Sequence, residues 1–250
     1  MKVVYHPQYT EVYENDPAAA RGRMEAIVKE VKGVETVKPE PASIEDIQRC
    51  HAAFHISYVQ RYGCVFEMAM LAAGGAIRAA ELAMQGQPAF GLIRPPGHHA
   101  SADSCWGFCF FNNMAIAISK LIEEKKIKTA LILDFDLHYG DGTANIFQGN
   151  PDVVYFHPED SQRQDFVDHV ARVLGRSEAD IIAVSAGFDR HIEDWGRLLT
   201  TGDYKTIGKE VREFALKKCE GRRFGVLEGG YNHSVLGKNV LAFLKGMQGL

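Results

Sequence analysis

The sequence of 250 residues has few cysteines, no long apolar run and no surplus of basic charge. Its five cysteines are scattered and odd in number, which predicts free thiols rather than a disulfide framework and makes the cytoplasm the expected compartment. No run of about 18 apolar residues occurs, so no membrane-spanning helix is predicted. The opening residues MKVVYHPQYT lack the apolar core of a signal peptide. The net charge of −4, with no basic stripe, argues against a nucleic-acid-binding protein.

Internal repeats, low-complexity tracts and Pro/Ser-rich linkers are also absent, so residues 1–250 are predicted to form one domain. Runs such as TALILDF and DIIAVSAGF have apolar residues at both alternating sets of positions, which is typical of strands buried on both faces. Such runs alternate with longer segments of helical periodicity. The sequence therefore predicts an α/β fold with a mostly parallel sheet covered by helices on both faces.

The predicted elements alternate along the chain. Strands are predicted at Lys2–Tyr5, Phe90–Ile93, Thr129–Phe135, Val153–Phe156, Ile181–Ser185 and Phe224–Leu227. Helices are predicted at Ala18–Val31, Ile44–Tyr62, Phe66–Met84, Asn113–Glu124, Gln162–Leu174, Tyr204–Lys218 and Ser234–Lys245. Open α/β sheets bind ligands beyond the carboxyl ends of their strands. The polar segments at those ends are RPPGHHA (94–100), DFDLHYGDG (134–142), SAGFDRH (185–191) and LEGGYN (227–232).

A metal site is predicted from two of these segments. Asp136 and His138 lie two residues apart, so in an extended segment their side chains point to the same side. Asp189 follows another strand and is a third candidate ligand. Two carboxylates and one imidazole leave a coordination position open, which fits catalytic Zn²⁺, although Fe²⁺ or Co²⁺ also fits. The alternative is a set of polar strand ends that meet water, with Asp189 as a helix cap or turn residue.

The other two segments carry groups that could complete a hydrolytic site. Beside a metal, the tandem His98 and His99 could act as base and acid, with Asp134 and Asp141 available to orient them. The Tyr231 hydroxyl could donate a hydrogen bond to a developing oxyanion. The alternatives are surface histidines and a buried core tyrosine. Taken together, the four segments predict metal-assisted hydrolysis of an acyl group.

In this order, RPPGHHA, GFCFFNN, DFDLHYGDGT, SAGFDRH and LEGGYN resemble the zinc-dependent histone deacetylase superfamily, most closely class II deacetylases and acetylpolyamine amidohydrolases. The resemblance implies an arginase-like α/β fold with a mostly parallel eight-stranded sheet. It implies removal of acetyl, or another short acyl group, from an amine such as acetyl-lysine or an acetylpolyamine. The residues it implies are zinc ligands Asp136, His138 and Asp189, catalytic His98, His99 and Tyr231, the orienting carboxylates Asp134 and Asp141, and tunnel residues Phe108, Gly107 and Gly230. It also implies a structural K⁺ near Asp134, held largely by backbone carbonyls.

The sequence departs from this family at several places. Tyr139 stands where a second histidine usually follows His138, and Tyr155 stands where a serine would help to hold potassium. The segment from His157 to Phe166 is short, so the loop that carries the second tunnel aromatic is predicted to be absent. The segment around 61–67 lacks the acidic rim loop. These changes predict a shallower site, unless a second subunit completes it, and the resemblance makes a homodimer or a higher homo-oligomer an expectation.

Two other functions remain open at this point. A metal-containing acyl-amine-binding protein with weak or no turnover would fit the missing wall loops, although it would not need Tyr231 or both histidines. A binuclear manganese ureohydrolase would need a carboxylate where Gly140 stands. Polyamine substrates would require acidic groups at the mouth, and the candidates are Glu159, Asp160, Glu193 and Asp194.

Five further residues are also of interest. His51 and His55 are interpreted as one face of a helix rather than a metal clamp. Arg23 resembles a family arginine near the acetate pocket. His157 and His191 are interpreted as solvated surface residues.

Overall fold

Seven strands form one sheet in which every neighbouring pair is parallel. The computed structural model describes residues 1–250. The strands are β1 (Lys2–Val4), β2 (Thr36–Val37), β3 (Ala89–Gly91), β4 (Ala130–Asp134), β5 (Val153–Phe156), β6 (Ile181–Ala186) and β7 (Arg223–Leu227). All the predicted strands are present, and the sheet has one strand fewer than the resemblance implies. The added β2 is only two residues long, since Pro39 follows it closely and has no N–H to extend a ladder.

Nine α-helices and one 3₁₀ turn at Pro7–Thr10 surround the sheet. The helices are α1 (Arg23–Glu30), α2 (Ile44–Gln48), α3 (Ala53–Gln60), α4 (Cys64–Met84), α5 (Asn113–Glu123), α6 (Asp141–Ile146), α7 (Arg163–Arg176), α8 (Thr201–Lys218) and α9 (His233–Gln248). Helices α4 and α5 pack together as one group, and α1, α7, α8 and α9 form the other. None of these helices has the combination of length and apolar sequence that a membrane crossing requires.

The prediction of one continuous helix over Ile44–Tyr62 is wrong. The Ala52 N–H donates to the carbonyl of Ala102 at 2.8 Å instead of continuing the helical ladder. The His51 ring accepts a hydrogen bond from the Asn112 N–H at 2.9 Å, which holds the break in place. The chain therefore forms α2 and α3 with a corner between them.

The centre of the sheet is fully buried, which explains why its strands lack alternation. Every residue of β3, β4, β6 and β7 is buried. These strands belong to a single apolar cluster to which both groups of helices contribute. Burial of apolar area at about 25 cal/mol per Å² is the main force that holds the layers together.

The strand order explains how distant segments of the sequence meet. Across the sheet the order is β2-β1-β3-β7-β6-β4-β5. The four strands that carry the polar segments, β3, β7, β6 and β4, are therefore consecutive neighbours. Because all strands are parallel, their carboxyl ends lie at one edge, and β5 adds its own carboxyl end beside β4.

Candidate active site

Three side chains converge at the end of β4 and β6. The ligand atoms that Asp136, His138 and Asp189 can offer all lie within 4.8 Å of one another. His138 Nδ1 is 3.2 Å from an Asp136 oxygen and 3.3 Å from Asp189 Oδ2. Both aspartates are buried, and His138 is partly exposed. The three residues proposed as ligands are thus brought together with one side open.

The donor set fits a divalent metal. Asp189 Oδ2 is buried and accepts no hydrogen bond, an arrangement that is costly unless a cation satisfies it. Space is reserved around the carboxylates, since a Cβ at Gly229 would lie 2.6 Å from Asp136 Oδ2 and 2.7 Å from Asp189 Oδ2. Burial and the Asp136 charge raise the pKa of Asp189 to about 6, whereas contacts with both aspartates raise that of His138 to about 10. A bound cation would relieve the repulsion between the two carboxylates.

His98 forms a buried hydrogen-bonded pair with Asp134. Its Nδ1–H donates to Asp134 Oδ2 at 3.0 Å, and both side chains are buried. The other Asp134 oxygen accepts the Asp136 N–H at 3.1 Å. Burial opposes the charge on His98, but the nearby Asp136 and Asp134 outweigh it, so the pKa of His98 is raised well above its ordinary value.

His99 forms the outer of the two pairs. Its Nδ1–H donates to Asp141 Oδ1 at 2.6 Å. The Trp106 indole N–H donates to the other oxygen, Asp141 Oδ2, at 2.9 Å, and the indole ring lies on the His99 ring with centroids 3.9 Å apart. Burial, assisted by the charge on His98, lowers the pKa of His99 to about 4. His99 is therefore neutral near pH 7 and oriented with Nε2 free.

One cavity of about 130 Å³ lies over this group of residues. Its lining consists of Pro96, His98, His99, Trp106, Gly107, Phe108, His138, Trp195, Gly229 and Tyr231. Gly230, by contrast, lies just behind the wall, where its carbonyl accepts a hydrogen bond from Arg23 Nε at 2.9 Å. The two histidines predicted to be catalytic, the predicted metal ligand His138 and the predicted tyrosine Tyr231 thus share one concave surface.

Tyr231 is fixed from several directions. The Asp194 carboxylate accepts the N–H groups of Tyr231 at 2.8 Å and of Asn232 at 2.7 Å. The Trp195 ring stacks on Tyr231 with centroids 4.0 Å apart, and the Arg23 guanidinium lies 5.5 Å from its ring centre. Burial raises the pKa of Tyr231 far above its ordinary value, so the hydroxyl keeps its proton and remains a donor. Arg23 therefore supports the turn that carries Tyr231. The family resemblance implied an arginine near the acetate pocket.

The Gly107–Phe108 turn forms the opposite wall. Both residues have positive φ, 59° and 66°. A Cβ at Gly107 would lie 2.5 Å from the His99 ring, so glycine is required at this close approach. The Phe108 and Tyr231 rings meet edge to face with centroids 6.0 Å apart.

Comparison with known proteins identifies the family of this chain. A model of the histone deacetylase domain matches residues 17–158 and 157–247. The chain belongs to the histone deacetylase family. It is 30% identical over 306 aligned positions to a probable deacetylase of Methanothermobacter thermautotrophicus, covering all of this chain and 91% of that protein. It is 28% identical to a histone deacetylase-like amidohydrolase of Pseudomonas aeruginosa, covering 84% of this chain and 70% of that one. The solved HDA15 HD domain shares the fold, with a TM-score of 0.86 and 23% identity over 99% of this chain and 88% of that one.

The potassium site implied by the deacetylase resemblance does not fit the residues of this chain. The oxygens of Asp134 already accept hydrogen bonds from Asp136 N–H, His98 Nδ1–H and, at 2.9 Å, the Tyr155 hydroxyl. The main-chain oxygen of Asp136 accepts a hydrogen bond from Arg190 Nε at 3.0 Å. An ion there would have to displace these donors and lie beside a permanent positive charge.

A second metal ion of the ureohydrolase kind is also disfavoured. A Cβ at Gly140 would lie 2.4 Å from Asp134 Oδ2 and 2.7 Å from the Tyr155 hydroxyl, so no carboxylate fits at that position. Another cluster of candidate ligands, His98, Cys109 and Glu228, is occupied by other contacts, since Glu228 Oε2 accepts the Gly97 N–H at 2.7 Å.

Two residues of this cavity were not predicted from the sequence. Trp106 and Trp195 line the cavity and are about half exposed, at 56% and 50%. They are the only two tryptophans of the chain. Exposed aromatic residues often mark a binding site, so these two tryptophans could have been considered as candidates for the cavity wall. Trp195 supplies an aromatic wall although the segment from His157 to Phe166 is short. The prediction concerned only the loop that carries the second tunnel aromatic in the family, and Trp195 supplies an aromatic ring from the segment between β6 and α8 instead.

The interpretation of His157 and His191 as solvated surface residues is wrong. His191 is buried because its Nδ1 accepts the Glu193 N–H at 3.2 Å and its ring stacks near Tyr204. His157 is partly buried because its Nε2 accepts a hydrogen bond from Arg190. The interpretation of His51 and His55 as one face of a helix is also wrong, because His51 lies in the corner between α2 and α3. Both side chains are buried, and their ring centroids are 5.2 Å apart.

Proposed function

We propose that this protein is a zinc-dependent amide deacetylase that removes acetyl, or another short acyl group, from an amine such as acetyl-lysine or an acetylpolyamine. The observation that carries the proposal is one cavity lined by His99, by Tyr231 and by His138, which is the partly exposed member of the metal-ligand group. Asp136, His138 and Asp189 would hold the zinc ion. When bound, zinc would polarise the substrate carbonyl and acidify a water molecule.

The two histidines have different parts in this mechanism. His99 is neutral, oriented by Asp141 and exposed to the cavity, so it accepts the proton of the attacking water and returns it to the leaving amine. His98 is buried, and its Nδ1–H donates to Asp134, so its ring is held in a fixed orientation beside the reacting carbonyl and contributes to electrostatic stabilisation there.

Tyr231 stabilises the oxyanion that develops on the substrate. Its hydroxyl is a retained donor, and its ring is held by Trp195 and by the Asp194 bonds to the backbone. The donor therefore needs little reorganisation when charge appears. Removal of one such donor typically costs on the order of 10²-fold in kcat.

The mouth of the cavity favours an amine that presents a flat or apolar neighbour to the two tryptophans. Of the acidic candidates for a polyamine mouth, Asp194 is used by backbone N–H groups and Asp160 pairs with His169 Nδ1 at 2.6 Å. Glu193 and Glu159 remain exposed. Acetyl-lysine in a peptide and an acetylpolyamine therefore both stay in the substrate class to be tested.

The test measures turnover by zinc-loaded protein on an acetyl-lysine peptide, free acetyl-lysine, acetylputrescine and acetylspermidine. Tyr231→Phe is expected to reduce kcat on the preferred substrate by on the order of 10²-fold or more, while the dissociation constant changes little. Tyr62→Phe, at a tyrosine that is 43% exposed and outside the cavity, is the matched control and should retain full turnover.

Two outcomes would contradict the proposal. Turnover that survives Tyr231→Phe would exclude this mechanism. Binding of one zinc ion without turnover on any substrate would favour an acyl-amine-binding protein instead.

A further inference from the structure

Arg190 is a buried cation behind the metal-ligand group. Arg190 follows the proposed ligand Asp189 in the sequence, and it is only 6% exposed. Arg190 Nε donates to the main-chain oxygen of Asp136 at 3.0 Å, and Nη2 donates to the Pro158 carbonyl at 3.0 Å. The guanidinium carbon lies 4.9 Å from the centre of the Phe166 ring. A buried charge with this many contacts is expected to have a structural role.

The guanidinium connects three loops that the sheet alone leaves separate. Asp136 belongs to the loop after β4, Pro158 and His157 to the segment after β5, and Arg190 itself to the loop after β6. Its contacts are two main-chain carbonyls and the ring nitrogen of His157, also at 3.0 Å. A metal ion that binds backbone carbonyls would connect loops in the same way.

Both oxygens of the nearby Asp134 carboxylate are satisfied by donors from the protein itself. The Tyr155 hydroxyl donates to Asp134 Oδ2 and accepts the Gly140 N–H at 2.8 Å. His98 and the Asp136 N–H supply the other donors to that carboxylate. Burial lowers the pKa of Arg190, and the charges of the buried carboxylates Asp136, Asp189 and Asp134 oppose that loss, so they favour a positive charge here.

We propose that Arg190 is a built-in structural cation, which with the Tyr155 hydroxyl takes the place of a structural potassium ion and makes the metal site independent of potassium. The guanidinium supplies the charge and the donors to backbone carbonyls, and Tyr155 occupies the Asp134 oxygen that an ion would share. This inference goes beyond the proposed activity, because its readouts are thermal stability and metal content and neither involves a substrate.

The first experiment uses the unmodified zinc-loaded protein. Its melting temperature is measured in KCl, NaCl and choline chloride at equal ionic strength, and potassium is counted by elemental analysis after dialysis against choline chloride. We expect the same melting temperature in all three salts and no potassium retained by the protein. A higher melting temperature in KCl alone, or one potassium ion retained per chain, would overturn the proposal.

The second experiment removes the charge while keeping most of the side-chain volume. Arg190→Met is expected to lower the melting temperature by about 5 °C or more and to weaken zinc retention against a chelator at least about tenfold. Arg190→Lys, which keeps the charge but not the fork of donors, should fall between. Arg172→Met, at an exposed arginine on α7, is the matched control and should behave like the unmodified protein.

If Arg190→Met and Arg172→Met have the same melting temperature and retain zinc equally well, the guanidinium has no such role. Should Arg190→Met fail to fold, the salt series on the unmodified protein still decides the question, since it needs no variant.

Discussion

The two histidine–carboxylate pairs contain adjacent histidines, His98 and His99, but lie in opposite environments. Asp134, behind His98, is fully buried and bonded by donors from three different residues. Asp141, behind His99, has a side chain that is 36% exposed and is covered on one side by Trp106. The inner pair thus belongs to the folded core at the end of β4, whereas the outer pair belongs to the wall of the cavity. Changes to the inner pair should therefore affect folding, and changes to the outer pair should affect turnover.

The largest difference is expected from removing each carboxylate. Asp134→Ala takes one partner from a buried charged network and leaves His98 and Tyr155 without their acceptor, so it should lower the free energy of unfolding by about 3–5 kcal/mol. Asp141→Ala, at a partly exposed position, should lower it by no more than about 1 kcal/mol. Urea denaturation of both variants measures the contrast. Equal losses in the free energy of unfolding would show that the two pairs contribute equally to stability.

The pH dependence of stability should distinguish the two histidines next. The pKa of His99 is lowered to about 4 in the folded protein, against an ordinary value near 6.5. Between these values the unfolded chain binds a proton that folded His99 does not, so this residue makes stability fall as the pH falls from about 6.5 to 4. His98 has the opposite sign: because its pKa is raised, its contribution is present below about 6.5 and is lost as the pH rises through the folded value.

The measurement is the free energy of unfolding of the metal-free protein from pH 4 to 7. In His99→Gln, the decline toward acid should be shallower than in the unmodified protein by at most about 1.4 kcal/mol per pH unit. An unchanged slope would mean that His99 titrates normally in the fold.

Much of this comparison could be predicted from the sequence, because it depends on local patterns. Apolar runs that end in polar segments located β3, β4, β6 and β7, and the spacing of Asp136 and His138 indicated a shared side. The part that could not be predicted depends on contacts between distant segments. The corner at Ala52 depends on a carbonyl fifty residues away, at Ala102. The role proposed for Arg190 depends on a hydrogen bond to the main-chain oxygen of Asp136, in the loop after β4. No local pattern encodes such pairings.

A smaller structural effect is expected from the hydroxyl that serves the inner pair. Tyr155→Phe removes one donor to Asp134 and leaves the Gly140 N–H without an acceptor, so it should lower the free energy of unfolding by about 1–2 kcal/mol. Tyr139→Phe, at a neighbouring tyrosine that is 49% exposed, is the control and should lose less than about 0.5 kcal/mol. If urea denaturation gives the same loss for both variants, the Tyr155 hydroxyl does not stabilise the His98–Asp134 pair.

The smallest effect is expected at the outer pair, where Trp106 is a positioning residue. Trp106→Phe keeps a ring that can stack on His99 but loses the N–H that fixes Asp141, so the free energy of unfolding should change by less than about 1 kcal/mol. Loss of the hydrogen bond to Asp141 leaves His99 less firmly oriented. We therefore expect kcat to fall about five- to tenfold with little change in KM, and the acidic limb of the pH profile of kcat to shift. A loss confined to KM, with an unmoved pH profile, would instead make Trp106 a substrate-contacting wall. That result would leave Asp141 to orient His99 without help from the indole.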